Sequence, residues 1–119
     1  MKVGDAVTSR KPLTIGPEDS WDLARQVMGW SGVRHLPVMR GQTLVGLVSE
    51  RDLLSHSGDP ARHVSEFMTT PVHTVNADAE LSDARFLMGS EKIGCLPVLS
   101  GGALVGVLTT TDVLQIADR

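Results

Sequence analysis

The chain is written twice. Leu36-Pro37-Val38 returns as Leu96-Pro97-Val98, Leu44-Val45-Gly46 as Leu104-Val105-Gly106, and Ala24-Arg25 as Ala84-Arg85, each time 60 residues on. Residues 14–54 laid over 74–114 without a gap are identical at 14 of 41 positions, where average composition gives about two or three by chance. Upstream, Val3-Gly4-Asp5-Ala6-Val7-Thr8 resembles Val64-Ser65-Glu66-Phe67-Met68-Thr69 at an offset of 61, so one residue is lost between Thr69 and Thr74. Two copies are too few for a solenoid. A unit of about 60 residues also buries too little surface to be comfortable alone. The repeat therefore predicts one pseudo-symmetric body in which each copy covers the other's apolar face. The first copy is assigned residues 1–58 and the second 59–119, with the seam in the turn-rich Ser57-Gly58-Asp59-Pro60.

Both copies give the same order of elements, β-α-β-β-α. A short strand is expected near 13–15 and again near 73–75. In the helix that follows, Asp19 and Ser20 are positioned to cap, and Trp21, Ala24 and Met28 fall at helical spacing, as do Leu81, Ala84 and Met88. Gly29 and Gly89 are expected to end these helices. Strands at 35–39 and 43–48 are joined through Arg40-Gly41-Gln42, and strands at 95–99 and 104–108 through Ser100-Gly101-Gly102. A last helix starts at Glu50 in one copy and Thr110 in the other. Leu44-Val45-Gly46-Leu47-Val48 is apolar throughout, which predicts burial on both faces. The fold class is α/β.

Composition removes several functions. Of 119 residues 41% are hydrophobic and 21% charged, as in an ordinary globular domain. No apolar run approaches the ~18 residues of a membrane span, and Met1-Lys2-Val3-Gly4-Asp5 lacks a secretory signal's apolar stretch. A single cysteine, Cys95, excludes an internal disulfide framework. A cytoplasmic protein without a membrane partner is expected. The net charge is −3, with 11 Lys and Arg against 14 acids, no Tyr, two Trp and two Phe. That disfavours nucleic acid, whose binders carry a basic surplus and stacking aromatics. His35, His56, His63 and His73 show no metal-ligand spacing, and no nucleophile elbow, Walker loop or His-Glu-x-x-His occurs. Trp21, Trp30, Phe67 and Phe86 are read as core or subunit-interface groups.

The informative motif is Gly46-Leu47-Val48-Ser49-Glu50-Arg51-Asp52, repeated as Gly106-Val107-Leu108-Thr109-Thr110-Thr111-Asp112. Each is Gly-apolar-apolar-hydroxyl-x-x-Asp at a strand-to-helix junction. Unpaired N–H groups at a helix start, together with a hydroxyl, suit a phosphate. A carboxylate one turn on suits the vicinal hydroxyls of a ribose. The same pattern is also a capping box. The two readings are compatible.

The order of elements, the paired Leu-Pro-Val strands and the doubled Gly-x-x-Ser/Thr-x-x-Asp resemble a CBS-domain pair, the Bateman module, over essentially the whole chain from Val3 to Leu114. The resemblance implies tandem CBS repeats packed with pseudo-twofold symmetry around two clefts that bind adenosine-containing ligands. AMP, ADP, ATP or S-adenosylmethionine would be such a ligand, with no required cofactor. By position, Asp52 and Asp112 match ribose-binding carboxylates, and Ser49 and Thr109 match hydroxyls near ribose or phosphate. Thr14-Ile15 and Thr74-Val75 match the segment lining the base, and Arg34-His35 match positions that contact phosphate. Their counterparts Gly94 and Cys95 bring no cation. Because clefts of this family combine the Asp of one repeat with strand residues of the other, Asp112, Thr14, Arg34 and His35 are expected to share the better phosphate site. Asp52, Thr74 and Cys95 would share a weaker one, helped by Arg51. Independently of that role, Cys95 is read as a small core residue rather than a nucleophile.

The resemblance implies a regulatory module without catalysis, acting in trans on an effector protein or as a homodimer. The alternatives are a structural or interaction module with degenerate clefts and, less favoured, a nucleic-acid-binding module.

Overall fold

The computed structural model describes residues 1–7 and 11–117, so Thr8 of the upstream match lies outside the described residues. Its frame is a pair of matching hairpins. β1 (His35–Arg40) and β2 (Thr43–Ser49) run antiparallel with Leu36 opposite Val48 and Val38 opposite Gly46. β4 (Cys95–Ser100) and β5 (Ala103–Thr109) repeat this with Leu96 opposite Leu108 and Val98 opposite Gly106. The turns need positive φ, which Gly41 (61°), Gly101 (57°) and Gly102 (83°) supply. Both hairpins shift register just after the Val of Leu-Pro-Val.

A short strand is expected ahead of each first helix, and the copies differ there. β3 is Val75–Asn76, one residue beyond the expected position, with Val75 opposite Val98. In the first copy the strand shrinks to a bridge at Ile15, whose N–H donates to the Pro37 carbonyl (3.0 Å) while Met39 N–H donates to the Ile15 carbonyl (2.8 Å). The cause lies two residues on. Ala77 N–H donates to the Leu99 carbonyl (2.8 Å) and extends the ladder, whereas its counterpart Pro17 has no N–H to give.

α2 (Trp21–Ser31) starts on Ser20, whose hydroxyl accepts Leu23 N–H, and buries Ala24 and Met28. α4 (Leu81–Ser90) buries Leu81, Ala84 and Met88. Gly29 and Gly89 do not end these helices but lie within them. The stop requires a left-handed residue past the last turn. Gly32 takes that role at φ 80°, its N–H on the Met28 carbonyl, and its counterpart Lys92 adopts φ 54°. The last helices, α3 (Glu50–Ser55) and α5 (Thr110–Ala117), begin where expected. Burial of β2 and β5 on both faces is not found. Gly46 and Val48 are buried while Leu44, Val45 and Leu47 are half-buried, and Val105 is 37% exposed. Side chains alternate across a strand, and in each unit one face carries the packing.

The chain forms two compact units, Leu13–Val72 and Met1–Pro12 with His73–Arg119. This partition by packing differs from the partition by sequence repeat, because the opening segments are exchanged. α1 (Val3–Ala6) donates from Val3 N–H to the Ala79 carbonyl and from Gly4 N–H to the Ala77 carbonyl, both at 2.9 Å. It places Val3 and Ala6, followed by Val7, in a core with Leu81, Ala84, Met88, Leu96, Val98 and Leu108. The 3-10 turn Val64–Glu66 does the same for the other unit. Val64 and Phe67 complete a core with Ile15, Ala24, Met28, Leu36, Val38, Val48 and Leu53, and Val64 N–H donates to the Asp19 carbonyl (2.8 Å). In this unit Gly46 is fixed by packing. A Cβ there would overlap the Met68 thioether.

Val3 and Val64 are fully buried. Val3→Ala and Val64→Ala should each lower stability by about 1–3 kcal/mol, measured by urea denaturation. A cost below half a kcal/mol for both would contradict the exchange of core segments.

Candidate ligand site

Each hairpin delivers its second strand into the helix that follows, and the doubled motif sits at that corner. Asp52 N–H donates to Ser49 Oγ (3.1 Å), and Asp52 Oδ2 accepts Ser49 N–H (2.9 Å). Asp112 N–H donates to Thr109 Oγ1 (3.2 Å), and Asp112 Oδ2 accepts Thr109 N–H (2.9 Å). Both motifs are therefore formed capping boxes, which fix each carboxylate beside the hydroxyl three residues earlier. Strand pairing brings in the residues ahead of Leu-Pro-Val. His35 stands opposite Ser49, and Cys95 opposite Thr109. Glu50 N–H donates to the Arg34 carbonyl (2.9 Å), and Thr110 N–H donates to the Gly94 carbonyl (3.1 Å). α3 is held from behind by Trp21, whose Nε1–H donates to the Leu53 carbonyl (2.9 Å).

The two corners differ electrostatically. Asp52 is half-buried, and Asp112 is buried at 7% exposure. Burial holds His35 below the ordinary imidazole value. The Arg34 guanidinium adds to that, while the carboxylates of Asp52 and Glu50 oppose it. Cys95 is 1% exposed, and its thiol is pushed up to about 12 by burial first and the Asp112 carboxylate second. It is a protonated wall residue at neutral pH rather than a thiolate nucleophile.

Of the residues singled out in the sequence, the unit Leu13–Val72 brings together His35, Ser49 and Asp52. Arg34 and Arg51 are exposed at the same corner, and Ile15 is buried beside β1 with Thr14 exposed before it. The other unit brings together Cys95, Thr109 and Asp112, with Val75 on β3 of the same sheet and Thr74 just before it, both half-buried. Two participants were missed. Glu50 acts on His35, and Thr110 Oγ1 donates to the Gly94 carbonyl (3.3 Å). Both are the first helical residue after the motif hydroxyl, which was the available signal. Among the described residues no three His, Cys, Asp or Glu gather as a metal site, and no helix is long and apolar enough to cross a membrane.

Comparison with known proteins matches this architecture. The CBS domain matches residues 3–59 and 64–119. The chain belongs to the CBS domain family, as a tandem pair of repeats. The solved CBS domain of NE2398 is 29% identical and superimposes with a TM-score of 0.94 over 100% of this chain and 98% of that one. CBSX2 from Arabidopsis thaliana is 32% identical, with a TM-score of 0.86 over 98% of this chain and 93% of that one, and CBSX2 has also been solved in complex with AMP. An inosine-5'-monophosphate dehydrogenase of Korarchaeum cryptofilum is 36% identical over 114 residues, 95% of this chain. The chain spans only 24% of that enzyme's length, and 23% of two further dehydrogenases of the same name.

The His35 environment sets a pH dependence of stability. The folded chain holds this imidazole below its ordinary value of about 6.5. From that pH downward the unfolded chain binds more protons, so stability falls as pH drops through the lowered folded value. Urea denaturation at pH 7.5 and 5.5 should show a smaller loss in His35→Gln than in the native chain. Equal losses would contradict the assigned environment.

Proposed function

We propose that this CBS pair is a regulatory module that binds an adenosine-containing ligand at the corners built by Ser49–Asp52 and Thr109–Asp112. The observation that carries this reading is the doubled carboxylate, held in place by its own capping box beside a hydroxyl. Such a group accepts ribose hydroxyls without first having to be ordered. AMP is the first ligand to test, because CBSX2 binds it at 32% identity. ADP, ATP and S-adenosylmethionine share the adenosine. The module acts by population shift. A ligand that binds one arrangement of the chain better favours it, and a partner protein reads that arrangement in trans. It contributes no catalysis of its own. The dehydrogenase activity named for its relatives belongs to proteins of which this chain matches about a quarter. Exposed apolar side chains on the helices, Trp30 at 80% and Phe86 at 76% with Leu54 and Leu114, support pairing with a second copy. Light scattering decides that point.

Thermal denaturation with AMP tests the ligand. At 100 times its dissociation constant AMP should add about 2.7 kcal/mol of stability. Asp52→Ala and Asp112→Ala should each lower basal stability by about 1–2 kcal/mol through the lost cap. One of them should also abolish most of the AMP gain, and the larger loss marks the corner that receives AMP. No stabilisation by AMP, ADP, ATP or S-adenosylmethionine would leave the interaction module as the function.

A further inference from the structure

The first residue of the Leu-Pro-Val strand separates the two corners. In the unit Leu13–Val72 it is His35, half-buried opposite Ser49. Three charged groups act on it: the Asp52 and Glu50 carboxylates of α3 and the Arg34 guanidinium just before β1. In the other unit the same place is held by Cys95, which is buried and protonated. The cations next to the motif residues, Arg34 before β1 and Arg51 in α3, are uncommitted. Arg25, Arg40 and Arg62 pair with Asp22, Glu18 and Glu66, whereas Arg34 and Arg51 are exposed and pair with no carboxylate among the described residues.

Burial at this corner keeps the imidazole neutral at pH 7, because desolvation outweighs the two carboxylates. A phosphate changes the balance. A phosphate monoester carries about −1.5 to −2 charges at pH 7. Placed beside a half-buried imidazole it favours the imidazolium, which then donates from both ring nitrogens.

We propose that a phosphate-bearing adenosine ligand bound at the His35 corner drives uptake of one proton by that imidazole, so that this corner binds more tightly as pH falls while the Cys95 corner does not respond. The proton comes from solvent and rests on the imidazole, and no covalent bond to the ligand forms. This rests on the reading of the module as a binder of adenosine ligands. The ligand raises the pKa of His35, so affinity is greatest below the value of the empty chain and is lost as pH rises through the value of the occupied chain. The loss is at most about tenfold per pH unit between those two values.

Isothermal titration of the native chain with AMP, from pH 6.5 to 8 and in two buffers of different protonation enthalpy, reads the coupling directly. The AMP phosphate itself titrates near pH 6, so the readout is the difference between the native chain and His35→Gln. The native chain should take up more protons per AMP than the variant. Its Kd should rise roughly three- to tenfold across the range, and that of the variant should stay nearly flat. Adenosine, which has no phosphate, should bind without pH dependence. An NMR titration of the His35 ring in the native chain supplies the same answer without a substitution, and its apparent pKa should rise when AMP is added. Equal proton uptake by native chain and variant, a ring pKa unmoved by AMP, or the same pH slope with adenosine would each overturn the proton coupling and leave adenosine binding intact. Failure of AMP, ADP, ATP and S-adenosylmethionine to bind at any pH would overturn both.

Discussion

The reciprocal hydrogen bonds between the hydroxyl residue and the aspartate three positions on govern the architecture of each unit. At Ser49 and Asp52, and again at Thr109 and Asp112, the side chains satisfy two N–H groups that a helix start leaves without intrahelical partners. That sets where the second hairpin strand stops and where the last helix begins. It also fixes a carboxylate at the corner, in a place chosen by backbone geometry rather than by a ligand. Anything that binds there meets a group already ordered. The hairpin then brings His35 to one corner and Cys95 to the other, so that one scaffold presents two different chemistries.

The second constraint is the exchange of opening segments. Each sequence copy alone lacks part of its core. Val64 and Phe67 fill the unit that holds α2, β1, β2 and α3, while Val3, Ala6 and Val7 fill the unit that holds β3, α4, β4, β5 and α5. Neither copy, cut at the seam of the repeat, would carry a complete hydrophobic cluster. The opening segment of each copy is bound into the packing of a unit built mostly from the other copy.

Much of this was legible in the residues. The 60-residue offset gave the two hairpins, the four main helices and the corner motifs, because hydrophobic spacing and turn glycines are local properties. What was not legible depended on contacts distant in sequence or on single atoms. The loss of the first parallel strand turns on the missing N–H of Pro17 opposite a ladder that Ala77 continues. The helix stops moved from Gly29 and Gly89 to Gly32 and Lys92 because a left-handed residue is needed past the last turn, and Lys92 gives no compositional warning. The half-buried faces of β2 and β5 follow from which side of each hairpin the helices occupy, which an unbroken apolar run does not encode. At the site, the capping role of Asp52 and Asp112 was readable from spacing. The burial that makes Asp112 and Cys95 unlike Asp52 and His35 was not, since it belongs to packing.

The central claim is that the same carboxylates cap the last helices and receive the ligand. The Ser49 and Thr109 amides, each bonded to one of those carboxylates, report on it through proton–nitrogen NMR during titration with AMP. Saturable shifts of one or both amides, with the same midpoint as binding measured by calorimetry, are the expected result. Binding of AMP that leaves both amides unmoved would contradict the account.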